Sequence, residues 1–238
     1  MTFLLGSARF SYHFAMMTFP KKLALIVSCV FGSVSVILIL HSVARSQSTP
    51  VADVVKAIRA GDTKATLRLL DEIEDVNIEN GVLLYEAVLQ RQSDVIEKLF
   101  AKRADPNVRD DLLETTVLNK WNPITILLLQ HGADPNLHGT SPLSIASSQG
   151  NTTIVQALIE RGADVSALGS GGTPIIAAIE VNKYDAARLL LEHGADPSIG
   201  ANFHDYPWLI ARQRHDKEML ALLERYHDNC KADPARCK

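Results

Sequence analysis

Eight histidines, three cysteines and one glycine-rich loop are the residues of this 238-residue chain that invite a chemical reading. Histidine carries protons or binds metals only in company, and no G-x-S-x-G, H-E-x-x-H, C-x-x-C or EF-hand spacing appears anywhere in the chain. Gly169-Ser170-Gly171-Gly172 has the freedom of a phosphate cradle, yet Thr173-Pro174 follows where a Gly-Lys-Ser/Thr would have to stand. It reads as a flexible loop. The densest constellation is the tail, residues 227–238. A zinc site from His227, Cys230, Cys237 and an aspartate would need unusual spacing and only partly soft ligands. With Cys29 assigned to an apolar segment, Cys230 and Cys237 form an even pair across a turn-forming Asp233-Pro234. Outside the cytoplasm they suit a small-loop disulfide; inside it they are free thiols. No cofactor, metal or small-molecule substrate is expected, and no acid, base, nucleophile and orienting partner converge as an enzyme requires.

Composition narrows the classes further. With 47% hydrophobic and 21% charged residues the chain can bury a real core, which excludes a disulfide-dense mini-protein and a highly charged disordered chain. Before residue 45 stand three basic residues and no acidic one, so the remainder carries a net charge of −6 against −3 for the whole. That remainder has no general attraction for phosphate backbones, and nucleic acid is not an expected partner.

The basic end is an address. Residues 23–40 run LALIVSCVFGSVSVILIL without a charge, directly after Pro20-Lys21-Lys22. A helix of that length is about 27 Å long, close to the roughly 30 Å of a bilayer's hydrocarbon core. Small residues at Ser42-Val43-Ala44 would suit a signal peptidase, but the apolar core exceeds the roughly 7 to 15 residues of a cleaved signal, so a retained anchor is favoured over a cleaved peptide. Ile26-Val27-Ser28-Cys29 resembles a lipoprotein box, disfavoured by the apolar stretch that follows it. Residues 17–44 are thus read as signal peptide or signal anchor, residues 1–16 as an extension or misassigned start, and 45–49 as a linker. Lys21 and Lys22 on one flank against Arg45 alone on the other place the N-terminus in the cytoplasm and the rest outside. The alternative is a tethered adaptor facing the cytoplasm.

Beyond the linker the chain repeats. Arg103-Ala104-Asp105-Pro106 returns as Gly132-Ala133-Asp134-Pro135, Gly162-Ala163-Asp164-Val165 and Gly194-Ala195-Asp196-Pro197, with a fainter copy ending at Asp75. A second landmark lies upstream, clearest in Thr173-Pro174-Ile175-Ile176-Ala177-Ala178 and Ser141-Pro142-Leu143-Ser144-Ile145-Ala146. Landmarks starting at 52, 82, 111, 141 and 173 each precede their aspartate by 23 residues. A helix-turn-helix of fixed geometry imposes such an interval, because both helices must present one apolar stripe to the next unit. Gly150-Asn151 predicts the turn of the fourth unit, Ile154, Val155, Leu158 and Ile159 its second helix, and Arg161-Gly162 a left-handed stop. The first unit predicts Ala57, Gly61-Asp62 and then Leu67, Leu69 and Leu70 in the same roles. A sixth unit keeps Tyr206 to Ala211, then Met219, Leu222 and Leu223, with Glu218, Glu224 and Arg225 as a solvent-facing cap.

The landmarks resemble the T-P-L-H-x-A signature of ankyrin repeats. The resemblance covers residues 50–226 and implies an all-α ankyrin-repeat solenoid of about six helix-turn-helix units with β-turn fingers. The units fall near 50–80, 81–109, 110–138, 139–170, 171–203 and 204–226, preceded by the apolar helix and followed by the two-cysteine tail. It implies that His131 and His193 hold a structural place before the Gly-Ala-Asp turn. It also implies a protein partner, met through finger tips and outward ends of first helices: His138, Thr140, Ser148, Gln149, Leu168, Ser170, Glu180, Phe203, His204, Asp205, Tyr206, Gln213 and Arg214. Connectors from each aspartate to the next landmark lengthen along the chain, through 7, 6, 7, 9 and 10 residues, as loops carrying recognition tolerate. Trp208 is expected at a core-facing slot and Trp121 in an inter-helix turn. The cluster Asp71, Glu72, Glu74, Asp75 and Glu79 reads as a solvated edge, and Asn151-Thr152-Thr153 as a sequon that begins a repeat helix. The short chain and simple signal look like bacterial envelope ankyrin proteins. That resemblance implies an immunity partner against a secreted toxin or an accessory to an envelope enzyme such as catalase. Membrane contact is expected through residues 23–40 if the signal is kept.

Overall fold

The computed structural model describes residues 50–137, 141–168, 172–197 and 207–232, with side chains through Tyr226. The chain divides into two compact units, Met1–Asp53 and Val54–Lys238; only residues 50–53 of the first are among those described. The expected apolar helix at 23–40, the linker, and the side chains of Cys230 and Cys237 all lie outside the described residues. Among those that are described, no helix is long and apolar enough to cross a membrane.

Twelve helices occur among the described residues and pair into six hairpins. The inner helices are α1 (Pro50–Arg59), α3 (Ile78–Leu89), α5 (Leu112–Leu118), α7 (Pro142–Gln149), α9 (Pro174–Glu180) and α11 (Pro207–Gln213). The outer ones are α2 (Thr63–Asp71), α4 (Ser93–Ala101), α6 (Asn122–Gln130), α8 (Thr152–Glu160), α10 (Tyr184–Glu192) and α12 (Lys217–Ala232). From the third unit on, inner helices stack on inner helices and outer on outer, as α7 does on α9 and α8 on α10. Helix α12 continues past the expected boundary at 226 to Ala232.

The fixed sequence frame has a hydrogen-bonding cause. In every unit the last landmark residue accepts, on its carbonyl, the amide five residues on. Asp62 donates to Ala57 at 3.1 Å, Gln92 to Ala87 at 3.0 Å, Trp121 to Thr116 at 2.9 Å, Asn151 to Ala146 at 3.0 Å, Lys183 to Ala178 at 2.9 Å, and Asp216 to Ala211 at 2.9 Å. This closes the inner helix and turns the chain into the outer one, satisfying a carbonyl that the helix end leaves without an internal partner. At the far end of the outer helix the tetrad alanine does the same: Ala104, Ala133, Ala163 and Ala195 donate to Leu99, Leu128, Leu158 and Leu190 at 2.9 to 3.0 Å. Those four leucines have no exposed surface. The first unit deviates, since Leu70 is fully buried while Leu67 and Leu69 are only half-buried.

Both turns need one left-handed residue. After the outer helices it is Arg103 at φ +65°, then Gly132, Gly162 and Gly194 at +89°, +84° and +92°. A Cβ in that region collides with the following carbonyl, which glycine avoids. Arg103→Gly is therefore expected to raise stability by about 0.5–1 kcal/mol, read as an increased urea midpoint with an unchanged m-value. A lower midpoint would show that the Arg103 side chain contributes more than its backbone costs. A denser strain sits at the start of α3, where Glu79, Asn80 and Gly81 are all left-handed and regular helix begins only at Val82, the landmark position.

A ladder of side-chain amides joins the units. Asp75, Asp105, Asp134 and Asp164 each accept on Oδ1 the amide two residues on, at 2.8 to 2.9 Å. In three of them that second residue is asparagine, whose side chain spans to the next unit. Asn107 donates to the Gly132 carbonyl at 2.9 Å and accepts from the Asp134 amide at 2.8 Å. Asn77 bridges Arg103 and Asp105 in the same way, and Asn136 bridges Gly162 and Asp164. At the fourth site the second residue is Ser166.

Candidate partner-binding surface

The finger of residues 105–111 lies against the inner-helix layer. Val108, in the 105–111 connector, would sit 3.2 Å from a Cβ on Gly81. Two residues on, the Arg109 guanidinium forks onto both Asp111 carboxylate oxygens at 3.1 Å and covers the Tyr85 ring at 3.8 Å from its centroid. Finger and inner helix are thus one surface, held by a charge-assisted fork and a cation–π contact.

Along that surface the seventh residue after each landmark start falls at an equivalent place: Arg59, Leu89, Leu118, Ser148, Glu180 and Gln213. Arg59 is engaged with Glu86 of the next unit, whose side chain is nearly buried. Glu180 and Gln213 are exposed, Ser148 is half-buried, and Leu118 is 59% exposed. Sequence reasoning passed over Leu118 because an apolar residue on a helix reads as core. Its register with Ser148, Glu180 and Gln213 was the available signal. Leu168, in the 164–173 connector, is 63% exposed.

Gln149 and Arg214 hold the stack together. Gln149 Nε2 donates to the carbonyls of Val117 and Leu118 at 3.1 Å, and Arg214 Nη1 donates to those of Ile179 and Glu180. Gln92 reaches the Ile58 carbonyl at 2.8 Å in the same manner. In each case a side chain of an even-numbered unit satisfies the open carbonyls ending the inner helix before it. Glu180 and Arg214 also line one cleft of about 810 Å³, with Tyr184, His215, Asp216 and Glu218. His138, Thr140, Ser170, Phe203, His204, Asp205 and Tyr206 lie outside the described residues.

One carboxyl of that cleft, Asp216, is held away from its ordinary value. Burial pulls its carboxyl upward, but the Tyr184 hydroxyl, the Met219 and Glu218 amides and the nearby Arg214 outweigh burial and leave it below the usual carboxylate range. Tyr184 donates to Asp216 Oδ2, and the Met219 amide donates to Oδ1 at 3.0 Å. A depressed folded-state value means stability that is present above the unfolded carboxylate range near 4 and lost as pH falls through the folded value. Asp216→Asn is expected to narrow the difference between urea midpoints at pH 7 and pH 3. An unchanged difference would show that the carboxylate is uncoupled from folding.

The remaining expectations resolve into structure. His131 stacks on Phe100 with centroids 4.1 Å apart and its Nε2 lies 3.7 Å from Glu97. Trp121 opens α6 in the inter-helix turn, with the Arg91 guanidinium 5.8 Å from its ring. Trp208 is half-buried and not a core side chain, because the landmark residues facing inward are Pro207, Ile210 and Ala211. Asn151 caps α8, accepting from the Ile154 amide, and donates to Asn122 at 2.8 Å. Among the described residues no three His, Cys, Asp or Glu side chains are placed to hold a metal ion.

Comparisons with known proteins agree with this architecture. Residues 115–201 match the family model described as ankyrin repeats in three copies. The human ankyrin repeat and SOCS box protein 6 is 33% identical over 181 residues, covering 60% of this chain and 43% of that protein. Alpha-latrocrustotoxin-Lt1a from Latrodectus tredecimguttatus is 30% identical over 57% of this chain and 10% of its own length. The chain therefore spans less than half of either curated relative. Among solved structures, an ankyrin repeat domain from Acinetobacter baumannii superposes with a TM-score of 0.64 at 23% identity, covering 73% of this chain and 97% of that one. The human ASB11 ankyrin repeat domain does so with 0.58 at 24%, covering 73% and 82%.

Proposed function

Because this chain carries an ankyrin repeat domain, a scaffold for protein–protein interaction, we propose that it is a noncatalytic binding module working at the cell envelope. The observation that supports this reading most is the combined finger and inner-helix surface, fixed in place by the Asn ladder and by Gln92, Gln149 and Arg214. A surface held rigid before binding loses little entropy on association. Residues 23–40 supply the reason for the envelope: they deliver the solenoid across the membrane and retain it on the far side. Neutralising a secreted toxin as its immunity partner, or supporting an envelope enzyme such as a catalase, are the two roles that such a placement suits.

Two measurements test this. In intact cells an impermeant thiol reagent, applied after reduction, is expected to label Cys230 and Cys237; labelling only after the membrane is opened would place the solenoid in the cytoplasm. Native extraction of the full-length chain is expected to bring an envelope protein or toxin with it in a fixed ratio. Extraction of the chain alone under conditions that preserve other envelope complexes would count against the binding role.

A further inference from the structure

Charge is divided between the two layers of the solenoid. Among the described residues after the first unit, the finger and inner-helix stretches within 74–90, 103–119, 132–149, 162–181 and 194–213 hold twelve Asp and Glu against three Arg, one of the twelve, Glu86, lying nearly buried against Arg59. The outer stretches between and after them, 91–102, 120–131, 150–161, 182–193 and 214–226, hold eight acidic residues against ten Lys and Arg. One of the three arginines, Arg109, is occupied by Asp111 and Tyr85. Beyond the first unit the acidic excess therefore falls in this layer, while the formal net charge of the whole chain is −3.

That face also carries unburied apolar surface. The large apolar side chains that stand exposed among the described residues, Leu118 at 59%, Leu168 at 63% and Val181 at 46%, all belong to the finger and inner-helix layer. Leu118 ends inner helix α5, Val181 caps inner helix α9 and Leu168 stands on the finger between their units. On a face whose other positions are polar or acidic, such residues suit anchoring and the carboxylates suit steering.

We propose that this face takes a basic polypeptide segment with spaced aliphatic side chains, Lys and Arg facing the carboxylates and apolar anchors meeting Leu118, Leu168 and Val181. The inference rests on the protein-binding reading above and adds the chemistry of the partner. Anionic surfaces, whether nucleic acid or acidic lipid, are repelled by the same field.

The test uses the full-length chain in nonionic detergent and three labelled 20-residue peptides: Lys and Leu at helical spacing, Glu and Leu at the same spacing, and Lys with Ser in place of Leu. Each is read by anisotropy against detergent alone. The Lys–Leu peptide is expected to bind at least tenfold more tightly than either control and to weaken at least tenfold between low salt and about 0.5 M. Asp110→Lys with Glu180→Lys, and separately Leu118→Ser with Val181→Ser, are each expected to weaken it about tenfold. Glu192→Lys with Glu224→Lys, on the outer layer, is expected to change it less than about threefold. All substituted positions are exposed, and circular dichroism checks that each variant folds. Equal binding of the Glu–Leu peptide, no binding of the Lys–Leu peptide, or equal losses from outer-layer changes overturn the proposal. If a native partner copurifies but ignores Asp110→Lys with Glu180→Lys, the basic-partner inference fails and the protein-binding reading stands. If no peptide binds and no partner copurifies, both fail.

Discussion

Leu128→Ala is expected to lower the stability of the solenoid by about 2–5 kcal/mol, the range for truncating a fully buried leucine in a core that cannot collapse around the gap. Leu128 has no exposed surface, and its carbonyl takes the Ala133 amide that closes outer helix α6. Its neighbours Leu99 and Leu158 hold the same place in the adjoining units, so the cavity opens on both joints of the third unit. Solenoid stability is close to a sum of unit and nearest-neighbour terms. A loss in the middle should therefore separate the transitions of the two halves as well as lower the midpoint. Urea titration followed by Trp121 fluorescence and by far-ultraviolet circular dichroism will show this as two non-coincident curves. A loss below about 1 kcal/mol with coincident curves would mean that the joint repacks. Leu118→Ala, on the exposed face, is the control and should stay within about 0.5 kcal/mol.

Asn107→Ala is the second large change, expected to cost about 1–3 kcal/mol by removing both prongs of one ladder rung, each contributing about 0.5–1.5 kcal/mol. The rung joins the second unit to the third through the Gly132 carbonyl and the Asp134 amide. Asn107→Asp keeps the acceptor and the size, but it loses the donor and adds a charge beside Asp134. Its deficit should be larger at pH 7 than at pH 3, where the introduced carboxyl is largely neutral, whereas that of Asn107→Ala should hardly change. Equal pH behaviour of the two variants would remove the ladder as the explanation.

The frame was legible because its causes are local. An alanine or threonine whose carbonyl must accept the amide five residues on, and an aspartate whose carboxylate must accept the amide two residues on, leave fixed residue types at fixed spacing. Gly150-Asn151 and Arg161-Gly162 were readable for the same reason. The surface was harder to read. Gln149 and Arg214 look like free polar residues at helix ends, and only the stack brings the preceding unit's open carbonyls within their reach. Leu118 looks like core because its helix is apolar on two sides, and only the packed register shows which side remains open. Leu69 and Leu70 differ in burial through a detail of the first unit that the sequence spacing after Ala57 does not carry.

One consequence of the ladder concerns force. A solenoid pulled from its two ends is loaded along its axis. The asparagine rungs lie across the joints from the first unit to the fourth, so under tension both prongs of a rung must break together. The last joint is crossed by other polar bonds, from Arg214 to the Ile179 and Glu180 carbonyls and from Tyr184 to Asp216. Under load each joint so bridged should hold until its polar bonds part together and then open abruptly. The fold in this sense resists pulling one joint at a time.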